Sequence, residues 1–361
     1  MKWTKQRLNN LFFFIGIAAV VVMLLTFDVS FVELWEHLCH AGYWLIPIIG
    51  IWIFVYGINA LSWQEVIKGN CKDSPSGDTS TVNPQPSTLQ KSFPSFWRIY
   101  RLTITGYALN YATPVGGLGG EPYRIMELSK DIDSQHATSS VILYAMMHFF
   151  AHFWFWFISI FIYLALAAVG DLPMTTAIGV TLGIIIVFCL AAFYLFSKGY
   201  RNGLVKYVLG VISHIPGLKK WTLRLWARHS EAIENIDLQI ASLYGKDRQA
   251  FYKSLLYEYL SRVVQSSEVL FMLLLFGIDN GGGLSGLTIT FLHSILIVSF
   301  TTLFANLIGF LPMQLGVQEG GFVLSIAALG LSPALGIFVS IICRVREIIW
   351  IFIGIALMRL K

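Results

Sequence analysis

The segment Asn110-Tyr-Ala-Thr-Pro-Val-Gly-Gly-Leu-Gly-Gly-Glu-Pro-Tyr-Arg124 interrupts an apolar stretch with prolines and glycines, and Asn306-Leu-Ile-Gly-Phe-Leu-Pro-Met-Gln-Leu-Gly-Val-Gln-Glu-Gly-Gly321 repeats the pattern. In each segment a glutamate follows a proline by seven residues and an asparagine precedes that proline by four or six: Pro114 with Glu121 and Asn110, Pro312 with Glu319 and Asn306. Interrupted apolar segments in corresponding parts of a membrane chain point to a transport site near the bilayer midplane. The pattern predicts a duplicated device for moving a substrate through or across a membrane.

The composition is that of an integral membrane protein. Of 361 residues, 56% are hydrophobic and 12% are charged, whereas soluble domains have about 45–50% and about 25%. The sequence predicts one all-α transmembrane domain over 1–361, a polytopic bundle of about seven to eight spans with an internal repeat and two broken segments, expected to be re-entrant, at 102–128 and 306–331. The expected spans are the apolar runs 11–27, 41–63, 138–169, 174–197, 254–277, 285–311 and 333–357.

The distribution of positive charge predicts the orientation. Lys and Arg are concentrated in the N-terminal tail, around 68–101 and in 198–253, whereas 28–40 holds none. By the positive-inside rule, we expect a multi-pass protein of the cytoplasmic membrane with a cytoplasmic N terminus. The first apolar run lacks a small-residue cleavage site and is expected to be retained as a helix. The parity of the crossings leaves open whether the two repeats are inverted or parallel.

Two polar regions separate the apolar runs. Residues 69–92 contain almost no apolar side chains and are expected to form a disordered loop. Residues 198–253 combine basic clusters with aromatic and leucine residues at helical spacing, Trp221, Leu223, Leu225 and Trp226. This pattern predicts either an amphipathic helix on an anionic membrane leaflet or a solvated connector between two spans.

The sequence shows no motif of a soluble enzyme, a nucleotide-binding protein or a metal-binding protein. No segment resembles a soluble catalytic domain, and the glycine run at 116–120 lacks the Lys-Ser/Thr of a P-loop. The four cysteines are scattered without metal-binding spacing. We therefore expect no enzymatic activity, no cofactor, no metal and no nucleic-acid partner, and any chemistry must come from membrane-embedded side chains.

The first broken segment combines charge with glycine. Glu121 and Arg124, at i and i+3, share one helical face and are expected to form an ion pair, which either serves only to neutralise itself or contributes to a site. A helix beginning at Glu121-Pro122 would direct its positive end at the same point, because proline is favoured in a first helical turn. Backbone N–H groups of the glycines would add an anion-binding nest suited to a phosphate: Gly116, Gly117, Gly119 and Gly120.

Two later runs also carry charges at helical spacing. His148 and His152, at i and i+4, are expected to line a cavity or to take part in helix contacts rather than to bind a metal, because the glutamate of an HExxH motif is missing. Glu258, Arg262 and Gln265 share one face, with Glu268 three residues further on. They predict either a buried ion pair that holds helices together or a substrate contact.

The last run carries Arg344, Arg346 and Glu347 near its middle. A charge at the centre of a membrane helix costs about 2.5–3.5 kcal/mol on insertion scales, so each such residue is expected to have a partner or a cavity. One arginine is expected to pair with Glu347 or Glu319, which would leave the other to bind an anionic ligand. Arginine suits phosphate because its planar fork donates two parallel hydrogen bonds.

The stretch from Pro312 to Arg344, PMQLGVQEGGFVLSIAALGLSPALGIFVSIICR, together with NYATPVGGLGGEPYRIMEL at 110–128, resembles the lysylphosphatidylglycerol synthase transmembrane-region family of flippase-like membrane proteins. The resemblance covers nearly the whole chain. In that family, the membrane region is associated with moving a modified lipid between leaflets, and members without a synthase domain are mostly assigned as flippases of lipids or lipid-linked intermediates. The resemblance implies roles for residues of both motifs: Asn110, Pro114, Gly120, Glu121, Arg124, Gly316, Glu319, Gly320 and Arg344.

One departure from the family pattern concerns Gln318, which stands where an arginine is usual in the family's GGLGVREG motif. The change removes one candidate phosphate contact, so the family's lipid specificity does not transfer to this chain. We expect a stand-alone member without the synthase domain, for which lipid synthesis is not implied.

These observations predict a lipid flippase or transporter that moves a phospholipid or lipid-linked intermediate through a hydrophilic cavity lined by Glu and Arg. The expected partners are the membrane lipid itself and an anionic leaflet that the basic loop contacts. Three alternatives remain open: a membrane-embedded headgroup-modifying enzyme with Glu121 or His148 as general base, an ion-coupled transporter of small solutes, and a non-transporting partner of a lipid-modifying enzyme. The oligomeric state and the direction of transport are not predicted.

Overall fold

The computed structural model describes residues 42–71, 93–112, 119–202, 204–213, 248–307 and 317–359, with separate short groups between 219 and 238. Every regular element in these ranges is helical. A 3-10 turn at Gly42–Trp44 leads into the first α-helix. In chain order, the helices are α1 (Leu45–Cys71), α2 (Phe96–Ala112), α3 (Glu121–Leu128), α4 (Ser134–Ala168), α5 (Thr176–Asn202), α6 (Leu204–Ser213), α7 (Arg248–Leu275), α8 (Gly283–Leu307), α9 (Val317–Ala328) and α10 (Pro333–Leu357).

Four helical segments within the described ranges are long and apolar enough to cross a membrane: Gly42–Asn70, Ser134–Ala168, Thr176–Lys198 and Gly283–Leu307. The helices α7 and α10 are 28 and 25 residues long, but each carries three charged residues in its central part. The expected all-helical membrane fold is therefore confirmed. The number of spans stays a prediction, and the run at 11–27 lies outside the described residues.

Two helices extend beyond the apolar runs marked by the sequence. Residues 69–71, which were expected in the polar loop, belong to α1, which continues to Cys71, and 72–92 lie outside the described residues. The basic region expected at 198–253 is helical at both ends, since α5 continues to Asn202 and α7 begins at Arg248. Long basic side chains extend a helix past its apolar part without loss of backbone hydrogen bonds, because their charged heads reach the interface.

The helices α2 and α3 form an antiparallel hairpin. At its outer end, Arg98 Nε donates to Asp131 Oδ2 (3.1 Å), and Arg98 Nη2 donates to Glu127 Oε2 (3.0 Å). At its inner end, the Gly120 N–H donates to Asn110 Oδ1 (2.6 Å). The first broken segment thus turns back on itself.

The helices α8 and α9 form a second antiparallel hairpin. The hydroxyls of Thr301 and Ser325 lie 3.2 Å apart, and a Cβ on Gly321 would lie 3.1 Å from Thr301 Cγ2. Beside the outer end of α9, Tyr163 Oη of α4 donates to the Ala328 carbonyl (3.4 Å). Both predicted breaks therefore separate a longer helix from a shorter returning one.

An antiparallel pair, α1 and α7, lies between the hairpins. Trp52 Nε1 donates to Glu268 Oε2 (2.9 Å), and the Ser62 and Ser254 hydroxyls are 2.9 Å apart, so residue numbers rise along one helix as they fall along the other. Each hairpin also contacts a long helix from the other half of the chain. The α2 helix contacts α10, where a Cβ on Gly354 would lie 2.4 Å from the Ala108 Cβ, and α8 contacts α4 through hydroxyls 2.6 Å apart, on Ser159 and Ser299.

The two ends of the bundle differ in charge. At one end, His293 Nε2 lies 2.7 Å from Asp171 Oδ2, and the connections at 169–175, 276–284 and 329–333 contain no Lys or Arg. The opposite end carries Lys68, Arg98 and Lys130. The separation agrees with the charge pattern of the sequence, while the side that faces the cytoplasm stays a prediction.

Two further features complete the frame. Asp133 caps α4 by accepting the Gln135 N–H (2.9 Å), and this bond lowers the pKa of the Asp133 carboxyl, which lies in the connection before the helix. The helix α5 lies at the periphery of the bundle, and only 17% of its most apolar 18-residue stretch is buried inside the protein. Its contact with the bundle includes aromatic pairs with α4, for example Phe150 with Phe193.

Candidate functional site

The first hairpin holds a buried arginine. Arg124 is 1% exposed, its Nη1 donates to Glu121 Oε1 (2.9 Å) and its Nη2 donates to the Thr103 carbonyl (3.3 Å). The helix α3 begins at Glu121 with proline in its first turn, as the sequence predicted. Three aromatic rings face the guanidinium carbon at 4.8–5.6 Å and provide cation–π contacts: Trp63, Tyr107 and Tyr144.

Two glycines make this arrangement possible. A Cβ on Gly106 would lie 2.0 Å from Arg124 Nε, and a Cβ on Gly120 would lie 2.1 Å from the Gly106 carbonyl oxygen. Only glycine permits so close an approach of backbone and guanidinium. The hairpin therefore closes backbone against backbone beside the arginine.

The expected glycine nest is changed in one respect. The Gly120 N–H is already bonded to Asn110 Oδ1 at 2.6 Å, while Asn110 Nδ2 is 3.4 Å from Glu121 Oε1. This N–H is used within the hairpin and is not directed at a ligand. Gly119 lies in the turn before α3, and Gly116 and Gly117 lie outside the described residues.

The second hairpin places a glutamate at the same point of its returning helix. Glu319, in the first turn of α9, accepts from Arg344 Nε (2.8 Å), and Arg344 Nη1 donates to Glu347 Oε2 (2.9 Å). Gln318 Nε2 donates to Glu347 Oε1 (3.0 Å). The side chain of Glu319 is 33% exposed, whereas that of Arg344 is 2% exposed. Gln318 therefore takes part in the cluster although it does not supply the positive charge usual at its position.

The expectation that one of the two arginines stays available for an anion was wrong. Arg346 Nε and Nη2 donate to the two oxygens of Glu268 (2.7 and 3.3 Å), and its guanidinium carbon lies 4.0 Å from the centre of the Trp52 ring. Glu268 comes from α7, so its pairing with α10 depends on tertiary structure. A charge taken out of water needs a counter-charge, and in this fold a second glutamate supplies it.

A third cluster lies where α4 and α7 meet. His148 Nδ1 lies 2.8 Å from Glu258 Oε2, 2.8 Å from Arg262 Nη2 and 3.1 Å from Tyr107 Oη. Arg262 Nη1 donates to Gln265 Oε1 (3.3 Å), but Arg262 Nη2 is 4.0 Å from Glu258 Oε2. The expected pair within α7 is therefore loose, and the imidazole lies beside both partners. The His152 ring lies 5.2 Å from the His148 ring.

Asn306 differs from Asn110 in its bonding. Its side-chain Nδ2 donates to the Thr302 carbonyl of its own helix (2.7 Å), whereas Asn110 joins the two limbs of its hairpin. The two asparagines are thus equivalent in sequence pattern and different in contact. The described hydrogen bond of Asn306 therefore does not connect it to the ion pairs of the second hairpin.

Sequence reasoning missed the aromatic components of the site. Trp52, Trp63, Tyr107 and Tyr144 contact the buried arginines but occur among many other aromatic residues of the chain. A usable signal is that Tyr107 precedes Asn110 by three residues, which places both on one face of α2. No such spacing links Trp52 to Arg346, because they lie on different helices.

The two hairpins share one feature of electrostatics. In both, one carboxylate oxygen is held by an arginine, and the other, Glu121 Oε2 or Glu319 Oε2, is shielded from solvent without a hydrogen-bond partner among the described residues. The three clusters together contain five carboxylates and four guanidiniums in the described ranges: Glu121, Glu258, Glu268, Glu319 and Glu347 with Arg124, Arg262, Arg344 and Arg346. The free carboxylate oxygens can accept hydrogen bonds from donors that a ligand would bring.

The part of the chain that the structure describes contains no group of three or more His, Cys, Asp and Glu side chains placed to hold a metal ion. Comparisons with curated proteins and with solved structures found no significant match. A family model with the description "Lysylphosphatidylglycerol synthase TM region" matches residues 13–355, which is nearly the whole chain. The protein is a membrane protein of the lysylphosphatidylglycerol synthase transmembrane-region family, a family involved in lipid handling.

Proposed function

We propose that this protein moves the polar headgroup of a phospholipid or lipid-linked intermediate between the two leaflets of the cytoplasmic membrane. The hairpins α2–α3 and α8–α9 would form the walls of the headgroup path, and the acyl chains would stay in the bilayer. Membership of a lipid-handling family supports the substrate class. The observation that carries the proposal is the arginine-bound glutamate at the start of both returning helices.

The hairpins approach from opposite ends of the bundle, which supports a re-entrant, inverted repeat. The limbs of α2–α3 end together beside Arg98 and Asp131, and the α8–α9 limbs end on the side of Asp171 and His293. The helix α2 has 17 residues and is therefore about 25 Å long, short of the roughly 30 Å that a hydrocarbon core requires. This length argument applies to α2–α3, since α8 with its 25 residues is long enough to cross. The returning helices α3 and α9 would carry their glutamates into the membrane from opposite sides, an arrangement typical of transporters with discontinuous helices.

The ion pairs suggest how a headgroup is held. A phosphate would take guanidinium N–H groups from Arg124 or Arg344, because the planar fork of arginine matches phosphate geometry. The glutamate released from that contact would accept donors from the same headgroup, an amine or hydroxyls. Each charge would thus change partners without losing its counter-charge. This would remove most of the free-energy cost, several kcal/mol, of moving an unpaired charge into hydrocarbon.

Glu319 is the better residue for a test, because it is partly exposed and its removal leaves Arg344 paired with Glu347. Purified protein in liposomes with headgroup-labelled phospholipids would be assayed for leaflet exchange by chemical quenching. We expect wild type to exchange lipid and Glu319→Gln to lose most of that exchange. The matched control is Glu65→Gln, which removes the carboxylate of another Glu–cation pair, Glu65–Lys68, at the charged end of α1.

Two results would contradict the proposal. Full exchange in Glu319→Gln would remove the glutamate from the path. A new lipid species in wild-type liposomes, detected by mass spectrometry, would favour a headgroup-modifying enzyme instead.

A further inference from the structure

The imidazole of His148 lies between groups that make incompatible demands on one nitrogen. Its Nδ1 is 2.8 Å from the carboxylate oxygen Oε2 of Glu258, which accepts hydrogen bonds, and 2.8 Å from Nη2 of Arg262, which only donates them. The same Nη2 lies 2.5 Å from His148 Nε2. Glu258 is 0% exposed, whereas the side chain of His148 is 21% exposed, so solvent reaches the imidazole but not the carboxylate.

The position of one proton decides which contact is favourable. With no proton on Nδ1, the nitrogen lone pair accepts from Arg262 and repels the carboxylate of Glu258. With a proton between Nδ1 and Oε2, His148 and Glu258 share a hydrogen bond, and the N–H groups of Arg262 are repelled. The cluster can therefore adopt two arrangements that differ in the position of a proton and in the placement of Arg262.

The surroundings of this cluster contain several polar atoms that lack partners. Eleven polar side-chain atoms in the described part of the chain are enclosed without a hydrogen-bond partner, and five of them belong to this cluster and its neighbours: Asn59 Oδ1, His152 Nδ1, Glu258 Oε1, Ser261 Oγ and Arg262 Nε. Native proteins satisfy nearly all buried polar groups. A concentration of unsatisfied donors and acceptors indicates a place where water or a transferable proton completes the bonding.

Ionisable groups face His148 and Glu258 from four helices. The α1 helix contributes only the neutral Asn59 and Ser62 near them. The groups on the other elements are Tyr107 of α2, Arg124 of α3, Tyr144 and His152 of α4, and Arg262 of α7. The arginines oppose additional positive charge, and Glu258 is the only carboxylate that contacts His148 among the described residues.

The cluster is connected to the first hairpin. The hydroxyls of Tyr107 and Tyr144 lie 3.2 Å apart, Tyr107 Oη contacts His148 Nδ1, and both tyrosine rings face the Arg124 guanidinium. A change in the bonding of His148 therefore reaches the aromatic contacts of the arginine that is paired with Glu121. Protonation and the state of the hairpin are linked by direct contacts.

We infer that His148 and Glu258 form a proton-binding site, and that uptake of one proton there releases Arg262 and couples proton movement to lipid movement. In this step, one proton from water binds to Oε2 of Glu258, the resulting carboxylic acid donates a hydrogen bond to Nδ1 of His148, and the hydrogen bond from Arg262 to that nitrogen breaks. The cluster gains one positive charge. The proton leaves when Arg262 returns to the imidazole. The coupling to lipid rests on the proposed function; the proton site does not.

The first measurement follows leaflet exchange in liposomes at equal pH on both sides and then under an imposed pH gradient with the membrane potential clamped. For wild type and for Glu65→Gln, we expect the gradient to change the exchange rate severalfold and a trapped pH dye to report proton movement with the lipid. For Glu258→Gln, we expect the ratio of rates with and without the gradient to fall to one. A wild-type rate that ignores the gradient, or a gradient response retained in Glu258→Gln, overturns the coupling.

A second measurement does not depend on lipid exchange. Infrared difference spectra recorded after a pH jump should show the C=O band of a carboxylic acid in wild type, and this band should be absent in Glu258→Gln and altered in His148→Gln. A band unchanged in both variants overturns the proton site. Absence of exchange in every lipid tested, together with a band that depends on Glu258, would overturn the lipid function while supporting the proton site.

Discussion

The charged side chains at the centre of the bundle lie in pairs, some within one helix and some between two helices. The spacing of Glu121 and Arg124 predicted their ion pair because i and i+3 share a helical face. The pairs of Arg346 with Glu268 and of Arg344 with Glu319 join different helices. Glu319 was one of two partners expected for an arginine of the last run, but no local pattern pointed to Glu268, so the Arg346–Glu268 pair became visible only in the folded chain.

The Arg346–Glu268 pair allows a test of stability. We expect Arg346→Met to lower the thermal unfolding temperature strongly, because removing one partner of a buried pair costs about 3–5 kcal/mol. The double variant Arg346→Met/Glu268→Leu should recover much of that loss, since no buried charge is left unpaired. The measurement is thermal unfolding in detergent. Equal loss in the single and double variants would show that the charges themselves are not the source of the effect.

Gly106 allows a second test, of the space beside Arg124. In Gly106→Ala the new methyl group would lie 2.0 Å from Arg124 Nε, so the arginine must move away from Glu121. We expect a loss of about 1–3 kcal/mol, as for other overpacked cores. The matched control is Gly50→Ala in α1, where no atom lies within 4 Å of the added carbon and where alanine favours the helix. Equal melting temperatures for the two variants would contradict the close contact.

The sequence predicted the existence of the helices and of the two breaks better than the residues at which the helices end. Proline and glycine marked both breaks, and the start of α3 at Glu121 followed from the preference of proline for a first helical turn. The ends of α1 and α5 were placed too early, because polar residues that continue a helix look like the start of a loop. The antiparallel course of each hairpin depends on contacts between its two helices, such as that of Gly120 with Asn110. The spacing of residues along the sequence does not predict such contacts.

The cap of α4 gives a prediction with a pH dependence. Asp133→Ala should destabilise the protein by about 1 kcal/mol, as for other lost N-caps, and Asp133→Asn should keep the cap bond to Gln135. Because folding lowers the pKa of Asp133, its ionised form stabilises the fold above the unfolded-state pKa, and this contribution is lost as the pH falls through the folded-state pKa. Thermal unfolding from neutral to acidic pH should therefore show a weaker acid sensitivity in Asp133→Asn than in wild type.

In the described part of the chain, the hairpins α2–α3 and α8–α9 lie on either side of the antiparallel pair α1 and α7. The sequence predicted a repeat from the matched spacing of Pro114 to Glu121 and Pro312 to Glu319. The sequence left open whether the two halves cross the membrane in the same or in opposite directions, because a hydrophobic run does not indicate the direction of the chain. The antiparallel contacts of α1 with α7, Trp52 beside Glu268 and Ser62 beside Ser254, support the inverted arrangement that we propose.

The opposite approach of the hairpins predicts a labelling pattern. Ser134 and Ser332 are exposed residues that follow the returning helices α3 and α9, at opposite ends of the bundle. In a cysteine-free background, we expect Ser134→Cys and Ser332→Cys to react with a membrane-impermeant thiol reagent from opposite sides of sealed vesicles. Reaction of both from the same side would contradict an inverted repeat.

The peripheral helix α5 turns most of its apolar surface away from the protein. Large apolar residues recur along that outer face with helical spacing: Val180, Ile184, Val187, Leu190 and Tyr194. In a bilayer, lipid tails would be their neighbours, so bilayer thickness rather than side-chain shape would set the tilt of this helix. A change of lipid chain length would then act on the protein as a mechanical load, applied at α5 and passed to α4 through their aromatic contacts.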